Sequence, residues 1–410
     1  MSFYRLQISE DLPAGLRRAA PELTWISGLR PGGGGVPIVT GRPSSAENAG
    51  EEVLVSRVPD GEIRCHFDLP RTIEDILLER YHSGMLPTLE MRLPFNYSRI
   101  PQWVKGIGLA ARSGRITHSA ETGFPATVPK FAADWLTELA GWAGLPASGR
   151  LALIRWPEGF RAALTITHDV DTGWLFANPD WLERICDAEE NSGFFGAWYC
   201  VPCHSAGARA ERAIERLRAR GCEVGCHGYN HDAKWPLLKG AGFDRRLRAA
   251  SAFRDRWGIK GFRSEWLWRT PRFLSAIATV FDYDSSVPTV SSLFTRMTRN
   301  GCGTCRPYLT EGNLVELPLT LPMDENRYMD GLEIGAFWER QIDLALKIIE
   351  QGGLVTISLH PQPHQAANYP TLAQVDRALR VLSAQPGVWI ARPDRIAEHV
   401  RDQITRPQPT

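Results

Sequence analysis

The chain lacks any uninterrupted apolar stretch near the ~20 residues that a membrane-spanning helix needs, so no span is expected. It also lacks an excess of either charge. Lys and Arg number 47 against 46 Asp and Glu, a net charge of +1, and that balance does not favour a nucleic acid or other polyanion as partner. The first residues, Met1-Ser-Phe-Tyr-Arg-Leu-Gln-Ile-Ser-Glu-Asp11, have no basic start followed by an apolar run. That is not the pattern of a secretory leader, and a soluble, cytoplasmic protein is the expectation. The glycine-rich stretch Arg30-Pro-Gly-Gly-Gly-Gly-Val-Pro37 lacks the Gly-Lys-Ser/Thr ending of a phosphate loop, so it reads as a flexible loop without a nucleotide. In a reducing compartment the eight cysteines would be mostly thiols, serving as buried apolar residues or as metal ligands.

What the chain does have is length: 410 residues, enough for two domains or for one barrel with an appendage. Residues 1–150 read as mostly helical and loop-rich, with nothing in them that resembles a catalytic site. Periodicity predicts a helix over Thr72–Tyr81, where Ile73, Ile76, Leu77 and Tyr81 share a face. Two more are expected at Pro101–Arg112 and Lys130–Trp142, the last with Trp135 and Leu139 toward the core. Residues 41–62 are polar, a surface loop or partly disordered chain. Gly144-Leu-Pro-Ala-Ser-Gly149 makes a linker, dividing the chain into 1–150 and 151–410.

After Trp156 strands and helices alternate. Strands are expected at Leu164–Thr167, Gly196–Val201, Glu223–Cys226, Gly261–Arg263, around Tyr283, and at Leu314–Leu317, Leu354–Leu359 and Val388–Ile390. Helical periods fall between most of them, as at Pro179–Asn191, Ala208–Arg220 and Gly335–Glu350. Such repetition predicts a barrel or a doubly wound sheet, with chemistry at the carboxyl ends of the strands.

The candidate residues gather at those ends. Asp169 and Asp171 follow the run Leu164–Thr167, so one carboxylate can take a proton while the other binds metal. Taken alone, the pair reads more readily as an Asp-rich loop that caps the next helix, and only the motifs downstream outweigh that reading. His227-Gly-Tyr-Asn-His231 follows a short strand, and histidines four apart reach one metal if the segment is helical. With an aspartate they make three protein ligands and leave room for a water, the open coordination of a hydrolytic metal. His360, ending the strand Leu354–Leu359, titrates in the range suited to protonating a leaving amine. Arg263 can hold a carboxylate ionised, and Asp284 can bond the spare ring nitrogen of His360. For Arg263 and Asp284 singly, a structural ion pair is the plainer reading.

In order, Thr167-His-Asp-Val-Asp171, His227-Gly-Tyr-Asn-His231, Arg263-Ser-Glu-Trp266, Tyr283-Asp-Ser-Ser286 and Leu359-His-Pro361 resemble the five motifs of NodB-type polysaccharide deacetylases. The resemblance covers roughly Trp156 to the C-terminus. It implies a distorted (β/α) barrel of fewer than eight units and hydrolysis of N-acetyl or O-acetyl groups, usually on amino sugars, with one divalent metal. Carried over residue by residue, it implies Asp169 as general base and Asp171, His227 and His231 as ligands, with zinc the expected ion. Arg263 would orient Asp169, His360 would be the general acid tuned by Asp284, and the backbone N–H of Trp266 would stabilise the oxyanion. Three departures stand out. The usual adjacent aspartates are Asp169-Val-Asp171, the expected proline is Glu265, and Pro288 stands where a tryptophan is expected. A substrate pocket different from those for chitin or peptidoglycan follows.

The expected activity is removal of an N-acetyl group from an amino sugar or related small molecule. Its rivals are hydrolysis of another C–N amide on the same fold, such as a ureide or cyclic imide, and a catalytically inactive carbohydrate-binding relative. One more metal site is open to question. Cys200-Val-Pro-Cys203 and Cys302-Gly-Thr-Cys305 each space two thiolates for one tetrahedral ion, so a shared structural zinc is a candidate. Local disulfides or ordinary buried thiols are the alternatives.

Overall fold

The computed structural model describes residues 3–5, 25–27, 38–39, 55–57, 63–65, 68–80, 132–142, 144–145, 150–151, 155–289, 301–327 and 331–405. Before residue 150 these comprise short strands β1 (Phe3–Arg5), β2 (Trp25–Ser27), β3 (Ile38–Val39), β4 (Val55–Arg57) and β5 (Ile63–Cys65), with helices Leu69–Leu77 and Ala132–Trp142. β1 to β3 form one antiparallel sheet and β4 pairs with β5. The first helix starts where its sequence directs: Asp68 accepts the Arg71 N–H at 3.0 Å, and a proline lies in the first turn. The expected helix Pro101–Arg112, the glycine-rich loop 30–37, the side chain of Trp135 and residues 146–149 of the expected linker lie outside the described residues.

Every residue of β6 (Ala162–Val170) is buried. A strand covered on both faces needs strands on either edge and helices outside, and the rest of the chain supplies them. β7 (Ala197–Cys200), β8 (Glu223–His227), β9 (Gly261–Arg263), β10 (Tyr283–Asp284), β11 (Tyr308–Leu309), β12 (Val315–Glu316), β13 (Leu354–Leu359) and β14 (Val388–Ile390) complete one curled sheet. Its order is β11-β12-β10-β9-β8-β7-β6-β13, parallel throughout except for β11 on β12. β13 runs along one edge of β6, while β14 and β7 share the other, pairing with its first and last residues. Between β12 and β13 the wall is closed by the segment 318–324. There the Thr356 hydroxyl donates to the Pro318 carbonyl at 2.9 Å, and the Thr356 N–H donates to Thr320 Oγ1 at 2.8 Å.

Helices pack outside the sheet by their apolar stripes. Ile334–Glu350 buries Phe337, Trp338, Ile342, Ala345, Ile348 and Ile349, spaced by three, four and seven residues. Inside, Tyr199 and Tyr283 meet hydroxyl to hydroxyl at 2.9 Å, and Tyr283 donates to Glu223 at 2.7 Å. A Cβ at position 261 would collide with the Tyr283 ring, so glycine is required at that strand start. Among the described residues no helix is long and apolar enough to cross a membrane.

The two described N-terminal helices are docked on the barrel by buried polar contacts. Asp134 accepts from Thr304 Oγ1 at 2.6 Å and from the Cys305 N–H at 2.8 Å. Glu79, just past the first helix, pairs with both Nε and Nη2 of Arg269 and accepts the Gly301 N–H at 2.8 Å. Arg269 and Glu79 are each at most 2 % exposed. Cutting one side of such a pair strands a charge in the interior. Glu79→Ala is therefore expected to lower stability by ~3–5 kcal/mol. Urea unfolding would show it as a fall in midpoint, and a midpoint equal to wild type would mean that Arg269 finds another partner.

Candidate active site

β6 runs three residues past its apolar start, so Asp169 is a strand residue rather than a loop residue. Its carboxylate is buried, and Nη1 of Arg263, at the end of β9, donates to it at 2.8 Å. The same nitrogen reaches Thr167 Oγ1 and Ser358 Oγ, while Nε and Nη2 donate to the carbonyl and hydroxyl of Ser285. The Tyr199 ring lies 4.5 Å from the guanidinium carbon. Arg263 is thus fixed on every side. Burial pushes the Asp169 carboxyl up, but the Arg263 charge, aided by His227 and His360, holds it below its ordinary value.

The histidine pair meets without a helix. His227 closes β8, Gly228 turns the chain with φ 59°, and His231 itself sits at φ 58°. A left-handed loop, not a helical face, brings the two rings to 5.4 Å between centroids. Glu265 shapes that loop. Its Oε1 accepts the N–H groups of Tyr229, Asn230 and His231 at 2.6, 2.9 and 2.6 Å, and Oε2 accepts that of Ala233 at 2.6 Å. A side chain at position 228 would collide with Glu265, which explains the glycine. A proline at 265 would offer none of these acceptors, so the departure from the resembled pattern has a structural purpose. Glu265→Gln keeps the size but loses the charge and one acceptor. A metal held by His227 and His231 would then bind ~10–100-fold more weakly, as for other groups that orient ligands. Chelator competition measures it, and an unaltered affinity would show that the loop holds its shape unaided.

Asp171 Oδ1 lies 3.3 Å from Nε2 of His227 and 3.1 Å from Nε2 of His231. Nδ1 of His227 donates to the Arg263 carbonyl at 3.1 Å, which leaves a lone pair on Nε2. Oδ1 is buried and has no hydrogen-bond donor. All three candidate ligand atoms fall within 4.8 Å of one another. For His231, burial works against the charged ring, yet Asp171 raises its pKa above the ordinary value. Acceptors converging on one point, in a place that draws positive charge, fit a divalent cation with a coordination position to spare.

His360 follows β13, and its partner differs from the expected one. Its Nδ1 meets Asp324 Oδ1 at 2.6 Å, and its N–H donates to Asp324 Oδ2 at 2.8 Å. Asp284 ends β10, several strands away in the sheet order, and accepts from Ser286 Oγ at 2.6 Å beside Glu316. It does not tune His360. Asp324 does, because the closing segment 318–324 runs beside β13 and bonds Ser358. Burial lowers the His360 pKa, but the charges of Asp324 and Asp171 raise it well above the usual value for the ring. Trp266 lies in the tight turn Glu265–Leu267 after Arg263, at φ 55°.

Three further residues border the site that no motif indicated. His204 Nδ1 donates to the Asp171 carbonyl at 2.7 Å, and Gln362 Nε2 donates to Asp171 Oδ2 at 3.1 Å. Glu325, half-buried, has its carboxyl pushed up by burial and drawn back by His360. A long-range contact leaves no periodic trace, and an adjacent Asp324-Glu325 pair was the available clue.

The four cysteines that were candidates for a shared zinc do not converge. Among the described residues only Asp171, His227 and His231 form a group able to hold a metal. Cys200 is buried under the helices flanking β7 and Cys305 under the helix Ile334–Glu350, while Cys203 is exposed in a turn. Cys200 Sγ contacts the Trp198 carbonyl and Cys302 Sγ that of Thr304. Burial pushes the Cys200 thiol up to about 12, away from the thiolate that zinc requires.

No protein-family model and no curated protein matches the chain. Solved structures do. One described as a polysaccharide deacetylase from Mycobacterium smegmatis is 20 % identical, with 64 % of this chain and 97 % of that one covered and a TM-score of 0.50. Another, described as a polysaccharide deacetylase from Pseudomonas aeruginosa PAO1, is 17 % identical, with 65 % and 97 % covered and a TM-score of 0.49. An allantoinase is also 17 % identical, with 66 % and 98 % covered and a TM-score of 0.49. At such identity the likeness is one of fold: the chain has the NodB-type deacetylase (β/α) barrel.

Proposed function

We propose that the chain is a metal-dependent hydrolase that removes the acetyl group from an N-acetylated amino sugar or saccharide. What carries the reading is one juxtaposition. The Asp171, His227 and His231 donor set adjoins a buried Asp169–Arg263 pair and a buried His360–Asp324 pair at one end of the barrel. Zinc or a similar divalent ion bound there would polarise the acetyl carbonyl and acidify a water. The residues of the chain supply the rest. Asp169, kept ionised by Arg263, accepts the proton of the attacking water. His360, with Nδ1 held by Asp324, gives its Nε2 proton to the departing amine nitrogen. The Trp266 N–H is the proposed donor to the oxyanion.

The test is acetate release from N-acetylglucosamine oligomers by protein loaded with zinc, cobalt or manganese, compared with metal-stripped protein. Acetate formed only by loaded protein supports the reading. Turnover of a ureide in its place would keep the fold and change the substrate class. Binding of oligomers without turnover would make the chain a carbohydrate-binding relative.

A further inference from the structure

Asp171 is braced from two sides. Its backbone carbonyl takes the His204 bond, and its Oδ2 takes the side-chain amide of Gln362 at 3.1 Å. Oδ1 is what remains: buried, without a donor, and facing two imidazole nitrogens at 3.3 and 3.1 Å. We infer that Gln362 is a positioning residue that makes Asp171 a one-oxygen metal ligand. The inference rests on the proposed metal site and asks what sets its coordination number.

The chemistry follows from the carboxylate. With both oxygens free, a carboxylate can bind a divalent ion through one or through both. The second oxygen would take a coordination position that a hydrolytic site keeps open. A neutral amide can occupy that oxygen without cancelling the ligand's charge, as a lysine or arginine would. Gln362 is also held where it must be. Its N–H bonds the His360 carbonyl at 2.8 Å, and its own carbonyl accepts from Gln365 and Ala367 at 3.0 Å each. It therefore bridges the loop after β13, which carries His360, to the loop after β6, which carries Asp171. β6 and β13 are paired neighbours, so the amide has only one strand spacing to cross.

Two consequences are specific to this role. A donor set of one oxygen and two imidazoles favours zinc or four-coordinate cobalt over manganese, which prefers more oxygens. Releasing Oδ2 should raise the coordination number and erode that preference. Gln362→Leu removes the donor at similar size, and Gln362→Glu sets a second negative charge against Oδ2.

The experiment loads wild-type protein and both variants with Co(II), records visible absorption, and measures zinc and manganese affinities by chelator competition. Wild type should show the intense bands of four-coordinate cobalt. Gln362→Leu should weaken them several-fold and reduce the zinc-over-manganese ratio by ~10-fold or more. Gln362→Glu should lower affinity for both ions by ~10-fold or more through distortion of the ligand. If both variants bind cobalt with the wild-type spectrum and metal ratio, the metal site stands and the role of Gln362 is refuted. Wild-type protein that takes up no cobalt would overturn the metal reading itself, and this inference with it.

Discussion

Replacing His227 or His231 by alanine is expected to abolish bound metal and turnover together while the barrel stays folded. Each histidine supplies one of only three protein atoms in the donor set, so its loss leaves two ligands and no stable site. Both side chains come from the end of β8 and the loop beyond it, where both face Asp171. Asp171→Ala should behave the same way. Metal content, acetate release and circular dichroism on the same preparations separate loss of metal from loss of fold. Full metal occupancy in Asp171→Ala would reverse the proposed roles of the two aspartates. The Arg263 bond to Asp169 at 2.8 Å argues against that, since it already claims the inner carboxylate.

Asp169→Asn and His360→Ala are each expected to lower turnover by ~10²-fold or more while metal stays bound, as befits groups that move protons. The pH profile carries the sign. In its proposed role Asp169 acts as a base when ionised, and its pKa lies below the ordinary 3.8, so the acid limb should fall at low pH. In its proposed role His360 acts as an acid when protonated, and its pKa lies well above the ordinary 6.5, so activity should persist through neutrality and fall only on the alkaline side. Asp324 supplies much of that rise. Asp324→Asn removes its negative charge, lowers the His360 pKa and should move the alkaline limb toward neutral pH. The companion change Asp284→Asn should leave that limb in place, because Asp284 bonds Ser286 rather than His360. An alkaline limb indifferent to Asp324→Asn would detach His360 from the acid role.

The contrast between those two aspartates shows where local sequence stops being informative. Several strands of the barrel were legible from short runs of apolar and β-branched residues set between helical periods. Gly261–Arg263, Leu354–Leu359 and Val388–Ile390 fall at their expected positions. The antiparallel edge strand Tyr308–Leu309 was not legible, for two residues make no pattern. Asp169, Asp171, His227, His231, Arg263 and His360 were legible as strand-end residues in a fixed order. How they meet was not.

The sequence by itself determined the alternation of strands and helices, and with it which end of the barrel carries polar residues. Period and burial dictate both. Tertiary structure alone decided three things. The closing segment 318–324 brings Asp324, not Asp284, to His360. Glu265 folds the loop Gly228–His231 around its carboxylate, so that two histidines meet without a helix. Packing also keeps Cys200, Cys203, Cys302 and Cys305 apart, although each pair has metal-ligand spacing. The physical reason is common to all three. Hydrogen bonds and ion pairs between residues distant along the chain are chosen by proximity in the folded barrel, and spacing in sequence encodes only neighbours on one element.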